Sequence, residues 1–418
     1  MKKRILAITT AVMMTAGLLA GCGSSASTGD TASESTSSTQ SAASESTAAE
    51  SEVSDAIEVV LDGSYPEEQV IIGVEAFDTT DGQFLALQEY LDYLAESFNL
   101  KFMYSESLAS AEDELNFINS CASAGAKAII GYYNIAGEEA IQETIDLGMY
   151  YWGTEQYYDS FADNDMYLGC YTFIEEGNAE NGDYLAGYEM GYNLGTQGVK
   201  HVFYCNGGVG FGIQMFIDRQ AGFEAGIAAA QAEGAEIVFD ITTDLVEGWP
   251  GTDDFTAAVG AKLAGDYDGV GSSFNAAALF QPIADAGKFE TMKIATIGQV
   301  GDIYYDAVNS GTVTVVVYDC EEVVFGNAVV QILNAVTDNL ASTREADGKA
   351  GKILVNRWTV TDAETYNAIF AYHDDGNYFV SAEEVASMLT GINANANNES
   401  ISTFYGSLDI ETALTIAE

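Results

Sequence analysis

Val70 to Tyr104 reads VIIGVEAFDTTDGQFLALQEYLDYLAESFNLKFMY. Val70–Phe77 is a short apolar run of strand length, closed by polar turn residues. Phe84, Leu87, Leu91, Leu94 and Phe98 then recur at spacings of three and four, which places them on one face of a helix. Leu100–Tyr104 is a second strand-length run. The segment therefore spells strand, helix, strand.

Outward from it the same grammar continues. Leu115, Ile118 and Cys121 face inward on a second helix, followed by a strand at Ala128–Tyr132, a helix around Ile141–Ile145, and strands at Met149–Trp152 and Met166–Tyr171. The second half repeats the order, with helices at Gly177–Leu194 and Phe216–Glu233 and strands at His201–Cys205, Ile237–Asp240, Gly269–Ser272, Lys293–Ile297 and Val313–Val317. Strands alternating with helices of this length predict an α/β protein whose parallel sheets are covered on both faces. A body of about 360 residues is too long for one comfortable core, so two doubly wound lobes are expected.

The N-terminus has a different character. Lys2, Lys3 and Arg4 precede an uncharged apolar run, Ile5–Leu19, and then Leu19-Ala20-Gly21-Cys22. A charged start, a short apolar run and small residues before a cut describe an export signal. At about 15 residues the run is shorter than the ~20 a spanning helix needs. Leu-Ala-Gly-Cys resembles the lipobox of bacterial lipoproteins, which implies cleavage after residue 21 and lipidation of Cys22. Residues 22–57 are almost all Ser, Thr, Ala, Gly, Glu and Asp, with no aromatic residue and no Lys or Arg. Such a stretch cannot bury enough apolar surface to offset its conformational entropy. As a tether of about 35 residues it would span roughly 30–35 Å.

The chain carries 14 Lys and Arg against 64 Asp and Glu, a formal net charge of −50 at pH 7. Nucleic acid is excluded as a partner, because binding phosphate requires Lys and Arg. Apart from Cys22, the cysteines at 121, 170, 205 and 320 lie far apart in apolar stretches without metal-ligand spacing, and are expected as buried thiols. Gly207-Gly208-Val209-Gly210-Phe211-Gly212 follows a strand, but its spacing is not G-x-G-x-x-G and no P-loop Lys follows. His201 and His373 are the only two histidines and form no triad with a nucleophile. No cofactor, metal or enzyme activity is expected.

Ligands of open α/β sheets sit beyond the carboxyl ends of the strands. The loops there are rich in rings, amides and carboxylates: Phe77-Asp78, Tyr132, Asn134, Trp152, Glu155-Gln156, Phe211, Phe274-Asn275 and Gln299. Rings pack on the faces of a sugar, and amides and carboxylates bond its hydroxyls.

Ser110–Tyr132, ending in Ala-Gly-Ala-Lys-Ala-Ile-Ile-Gly, resembles a helix-then-strand segment of the type I periplasmic binding proteins, especially their ribose/galactose-type branch. Ala140–Gly153, with Gly148 at its turn, resembles the unit that follows. Arg219-Gln220-Ala221-Gly222-Phe223 is similar to the family's Arg-x-x-Gly-Phe, and Phe274-Asn275-Ala276-Ala277-Ala278-Leu279 to its Asn-Asp-x-x-Ala-Leu. The resemblance implies two lobes that close on a ligand, joined by three crossings near Tyr171–Glu175, near Val317–Glu321 and between Asn339 and Lys352. The expected division is residues 68–172 plus 318–341 for the N-terminal lobe and 173–317 plus 350–390 for the C-terminal lobe. Residues 391–418 are then an extension without assigned function.

The resemblance further implies a monomeric solute-binding lipoprotein on the outer face of the cell membrane, attached by lipid alone, that delivers its ligand to an ABC permease. The same fold also fits a sensor that presents its closed form to a receptor kinase or chemoreceptor. Glu155-Gln156 stands where the family places Asp-Arg, Phe274-Asn275 where it has Asn-Asp, and Gln299 where it has Asp. With Arg219 as the one cleft arginine foreseen, an anionic ligand is disfavoured. A small neutral sugar, polyol or nucleoside-like ligand fits the rings and amides. The nearby Glu75, Asp78, Asp81 and Glu155 leave a cationic ligand open.

Overall fold

The computed structural model describes residues 56–173, 182–208, 210 and 212–417, all within one compact unit. The export signal, Cys22, the tether to residue 55 and Phe211 lie outside the described residues. In chain order the elements are α1 (residues 56–60), β1 (Val70–Val74), α2 (Gly82–Ser97), β2 (Leu100–Tyr104), α3 (Ala111–Ser123), β3 (Ala128–Gly131), α4 (Glu138–Asp146), β4 (Tyr150–Gly153) and β5 (Tyr167–Thr172). Then come α5 (Gly182–Thr196), β6 (Val202–Asn206), α6 (Gln214–Ala232), α7 (Ile241–Asp244), β7 (Leu245–Glu247), α8 (Asp253–Leu263), β8 (Gly269–Asn275), α9 (Ala277–Asp285), β9 (Lys293–Ile297), α10 (Asp302–Asn309) and β10 (Val313–Tyr318). The chain continues through α11 (Glu321–Val336), β11 (Gly351–Leu354), β12 (Trp358–Val360), α12 (Ala363–Asp374), α13 (Ala382–Ser387), α14 (Asn398–Ser407) and α15 (Ile410–Ala417).

Two six-stranded sheets result, ordered β2-β1-β3-β4-β5-β11 and β7-β6-β8-β9-β10-β12. Every pairing is parallel except that of β12, which runs antiparallel to β10. The period-two alternation of side chains sorts each strand onto two covered faces. In the first sheet Ile72, Val74, Ala128, Ile130 and Trp152 share a core with Phe84, Leu87 and Leu91 of α2. Ile129, Tyr151 and Tyr167 pack on the other face with Ile118 and Cys121 of α3 and Ile141 of α4. In the second sheet Tyr204, Ala295, Val315 and Val317 meet Met190 and Leu194 of α5 and Phe223 and Ile227 of α6. Both sheets are thus doubly wound. Cys121, Cys170, Cys205 and Cys320 are buried free thiols.

Helices α5 and α6 approach closely because glycines line their seam. A Cβ on Gly187 would run into the Arg219 carbonyl, and one on Gly191 into that of Phe223. Gly222 and Gly226 meet the carbonyls of Tyr184 and Tyr188 in the same way.

The chain enters the second sheet after β5 and returns to the first after β10, where α11 lies against β4, β5 and α2. The expected third crossing at 339–352 falls later, at Val355–Arg357. Gly351–Leu354 pairs in parallel with Gly169–Thr172 and so extends the first sheet, before β12 joins the second. The assignment of 350–390 to the C-terminal lobe is corrected again after α12. The Tyr90 hydroxyl donates to the Val380 carbonyl at 3.0 Å, the Ala382 N–H donates to the Tyr93 hydroxyl at 3.0 Å, and α13 packs on α11. Helix α14 then lies on β11, while α15 returns to α12. The C-terminal segment therefore straps one lobe to the other.

One expected strand is absent. Within 237–240 only Val238 bridges to the sheet, through His201. The Asp240 carboxylate accepts from Thr242 N and caps α7, which postpones the edge strand to Leu245–Glu247.

Candidate functional site

The carboxyl ends of the two sets of parallel strands supply the loops between the lobes. The lobes touch where Gln83 Nε2, in the first turn of α2, donates to the Gly298 carbonyl after β9 at 3.4 Å. Gly82 beside it leaves room for the Gln299 side-chain amide, which a Cβ there would push aside. Gln299 is buried, and its Oε1 finds no hydrogen-bond partner among the described residues.

Beneath this contact an ion cluster joins all the crossings. Arg357, in the third crossing, donates through Nε to Asp319 Oδ1 at 2.6 Å, and Asp319 belongs to the second crossing. Arg357 Nη1 donates to the Gly182 carbonyl at 2.8 Å and reaches Asp183 Oδ1 at 3.4 Å, both at the start of α5. Its Nη2 reaches Glu155 Oε1, in the loop after β4, at 3.4 Å. The guanidinium lies over the Phe173 ring, 4.1 Å from its centroid, where the first crossing begins. Arg219 of α6 completes the cluster, donating from Nε to Asp183 Oδ1 at 2.8 Å and from Nη1 to the Ser273 carbonyl at 2.9 Å.

The electrostatics follow from this crowding. Burial pushes the Glu155 carboxyl up, Asp183 adds to the rise, and Arg357 opposes it, leaving Glu155 at about 7. Burial works against the charge of Arg357, but Asp319, Glu155 and Asp183 outweigh it and hold the guanidinium above its usual range. Glu321, the first residue of α11, is pushed well above the carboxylate range by burial, and its Oε1 is unpartnered among the described residues. Burial likewise raises the hydroxyls of Tyr132 and Tyr171, with Glu155 and Asp319 contributing to both. The Tyr171 hydroxyl donates to Glu155 Oε1 at 3.3 Å. Glu155 itself holds a left-handed backbone, φ 52°, a conformation that non-glycine residues adopt at a cost of ~1–3 kcal/mol.

Of the residues foreseen from sequence, Glu155 and Arg219 join the ion cluster, Tyr132 lies near enough to feel the Glu155 and Asp319 charges, and Gln299 sits against Gly82 of the other lobe. Arg219 spends its bonds on Asp183 and Ser273. Phe77 is exposed and rests on Tyr133, ring centroids 4.8 Å apart. Asp78 shapes a turn by accepting from Thr80 N at 2.8 Å. Gln156 is exposed, and Phe274 packs towards Trp249 and Phe255. Three other residues are engaged in scaffolding. Trp152 has no exposed surface and stacks on Tyr171. Asn134 donates to the Tyr151 hydroxyl at 2.9 Å, and Asn275 accepts from Tyr304 and from Ala277 N. Sequence reasoning missed Arg357, Asp319, Asp183 and Phe173. The one available signal was an arginine set in an apolar stretch, Val355-Asn356-Arg357-Trp358, of a chain poor in arginine.

No protein-family model matches the sequence, and no curated protein matches it. Solved structures do match its fold. A twin-arginine translocation pathway signal protein from Burkholderia phytofirmans is 14% identical with a TM-score of 0.60, over 76% of this chain and 95% of that one. An ABC transporter periplasmic solute-binding protein from Actinobacillus succinogenes 130z, with bound D-allose, is 15% identical with a TM-score of 0.53, over 71% and 99%. The transcription regulator CcpA of Lactococcus lactis is 14% identical with a TM-score of 0.52, over 70% and 98%. The sheet order, the repeated crossings and these likenesses together give the chain the type I periplasmic-binding-protein fold.

Proposed function

We propose that the chain is the solute-binding component of an ABC importer, held outside the cell by lipid on Cys22. It captures a small neutral sugar, polyol or nucleoside-like molecule between its lobes and hands it to a permease. The observation that carries this reading is that loops at the strand ends of both sheets meet, Gln83 reaching the Gly298 carbonyl, near crossings whose arginines are already paired. With Arg219 and Arg357 both committed to carboxylates, a bound anion would go without a counter-charge, which costs several kcal/mol. Polar tyrosines and the buried amide of Gln299 suit hydroxyl groups instead.

Thermal unfolding of the mature chain against a panel of neutral monosaccharides, polyols and nucleosides tests the reading. A true ligand at a hundred times its Kd stabilises by about 2.7 kcal/mol. Absence of any shift across the panel sinks it. A sensory role is the second reading, and the likeness to a transcription regulator favours it to that extent. Stimulation of a permease–ATPase complex in proteoliposomes by the liganded protein separates import from sensing.

A further inference from the structure

We propose that Arg357 fixes the charge class of the ligand: its guanidinium fills a cation cage within the cleft, and without it the same cleft takes a small organic cation. The inference rests on reading the cleft as the ligand site.

The surroundings of Arg357 have the makeup of a receptor for a planar cation. The Phe173 ring supplies a π face at 4.1 Å. Asp319 meets the Nε edge at 2.6 Å, Glu155 stands 3.4 Å from Nη2, and Nη1 is shared between Asp183 at 3.4 Å and the Gly182 carbonyl at 2.8 Å. Those groups come from four separate segments: the loop after β4, the first crossing, the start of α5 and the second crossing. They have in common only the guanidinium they surround. The side chain of Arg357 is 9% exposed, so the cage is closed over its occupant.

Arg219 is already held by Asp183 and the Ser273 carbonyl. Removing Arg357 therefore leaves Glu155 and Asp319 without the cation that pairs with them, beside an uncovered aromatic ring. A free cation entering there would regain the charge-assisted bonds and the π contact that the side chain now makes. Because Arg357 lies on a crossing rather than at the tip of either lobe, its charge is present in the cleft whether the lobes are apart or together. Cationic solutes then meet an occupied cage, and neutral ones meet a balanced floor.

The test uses the full mature chain with methylguanidinium and its neutral counterpart methylurea, read by calorimetry and thermal unfolding. Arg357→Ala is expected to bind methylguanidinium about tenfold or more tighter than the native chain does, and to ignore methylurea. Arg357→Lys keeps the charge and is expected to bind neither. Equal methylguanidinium binding by native chain and Arg357→Ala overturns the proposal, as does its absence from a folded Arg357→Ala. If that variant is unfolded alone, recovery of cooperative unfolding with methylguanidinium, in it or in Arg357→Gln, supports the cage, and failure of both to recover overturns it. The sugar panel on the native chain reads the parent hypothesis separately. A blank panel leaves a positive cage result standing, and a negative cage result leaves a panel hit standing.

Discussion

Glu155 concentrates three unusual properties: a left-handed backbone, a contact with the guanidinium of the third crossing, and a carboxyl raised to about 7. Its sign in a stability profile follows from linkage. A carboxyl raised in the folded state keeps a proton that the unfolded chain releases, so the stability it contributes is present below its ordinary value of 4.5 and is lost as pH rises through about 7. Glu155→Gln cannot ionise. The variant is therefore expected to gain on the native protein as pH goes from 5 to 8, and parallel melting curves across that range would refute the assignment. The residues of this cluster also show where sequence reading ends. Glu155 was visible because the alternation of β4 stops just before it, which marks a loop at a strand end. Arg357, Asp319 and Asp183 meet only because three crossings converge, and no local pattern records a convergence of segments so far apart in the chain.

Helices and strands were more legible than their partners. Leu100–Tyr104 and Lys293–Ile297 begin and end where the apolar runs place them; β9 is buried almost throughout, whereas β2, at the sheet edge, buries only Leu100. The strand expected at 237–240 failed because a local Asp240 cap outcompetes ladder pairing, and β11 was unforeseen because Gly351-Lys352-Ile353-Leu354 opens on a glycine and a lysine and offers only two apolar residues. The glycine seam between α5 and α6 gives the sharpest mutational expectation at this scale. Gly187→Val places a side chain against the backbone of α6 and should cost about 1–3 kcal/mol or more in urea unfolding, as overpacking of a closed contact does. Gly260→Ala, on an exposed face of α8 with no neighbour near the added Cβ, should instead stabilise by about 0.5–1 kcal/mol. Equal effects at the two sites would show that helix propensity, not close approach, governs α5 and α6.

For the whole molecule, the segment after α12 matters more than its position at the end of the chain promised. Ile401, Tyr405, Leu408 and Ala413 are buried, and the Leu408 carbonyl accepts from Trp358 Nε1 of the second lobe at 3.2 Å while α14 lies on β11 of the first. Deleting 391–418 should therefore lower stability by several kcal/mol, at about 1.5–3 kcal/mol for each large apolar side chain lost from the core. A truncated chain that melts with the intact one would reduce the strap to decoration.

The same layout has a consequence for the order in which the protein can be made. The second sheet draws five of its strands from the continuous run 202–318, and needs only the three residues of β12 from beyond it. The first sheet begins at Val70 yet waits for Gly351–Leu354 to cover the edge of β5, and for α13 and α14 to cover α11 and β11. As the chain emerges from the ribosome, its middle becomes self-sufficient before its beginning does. The first hundred residues of the body stay incomplete until synthesis is nearly finished, so the first sheet is the part that exposes strand edge and apolar surface longest.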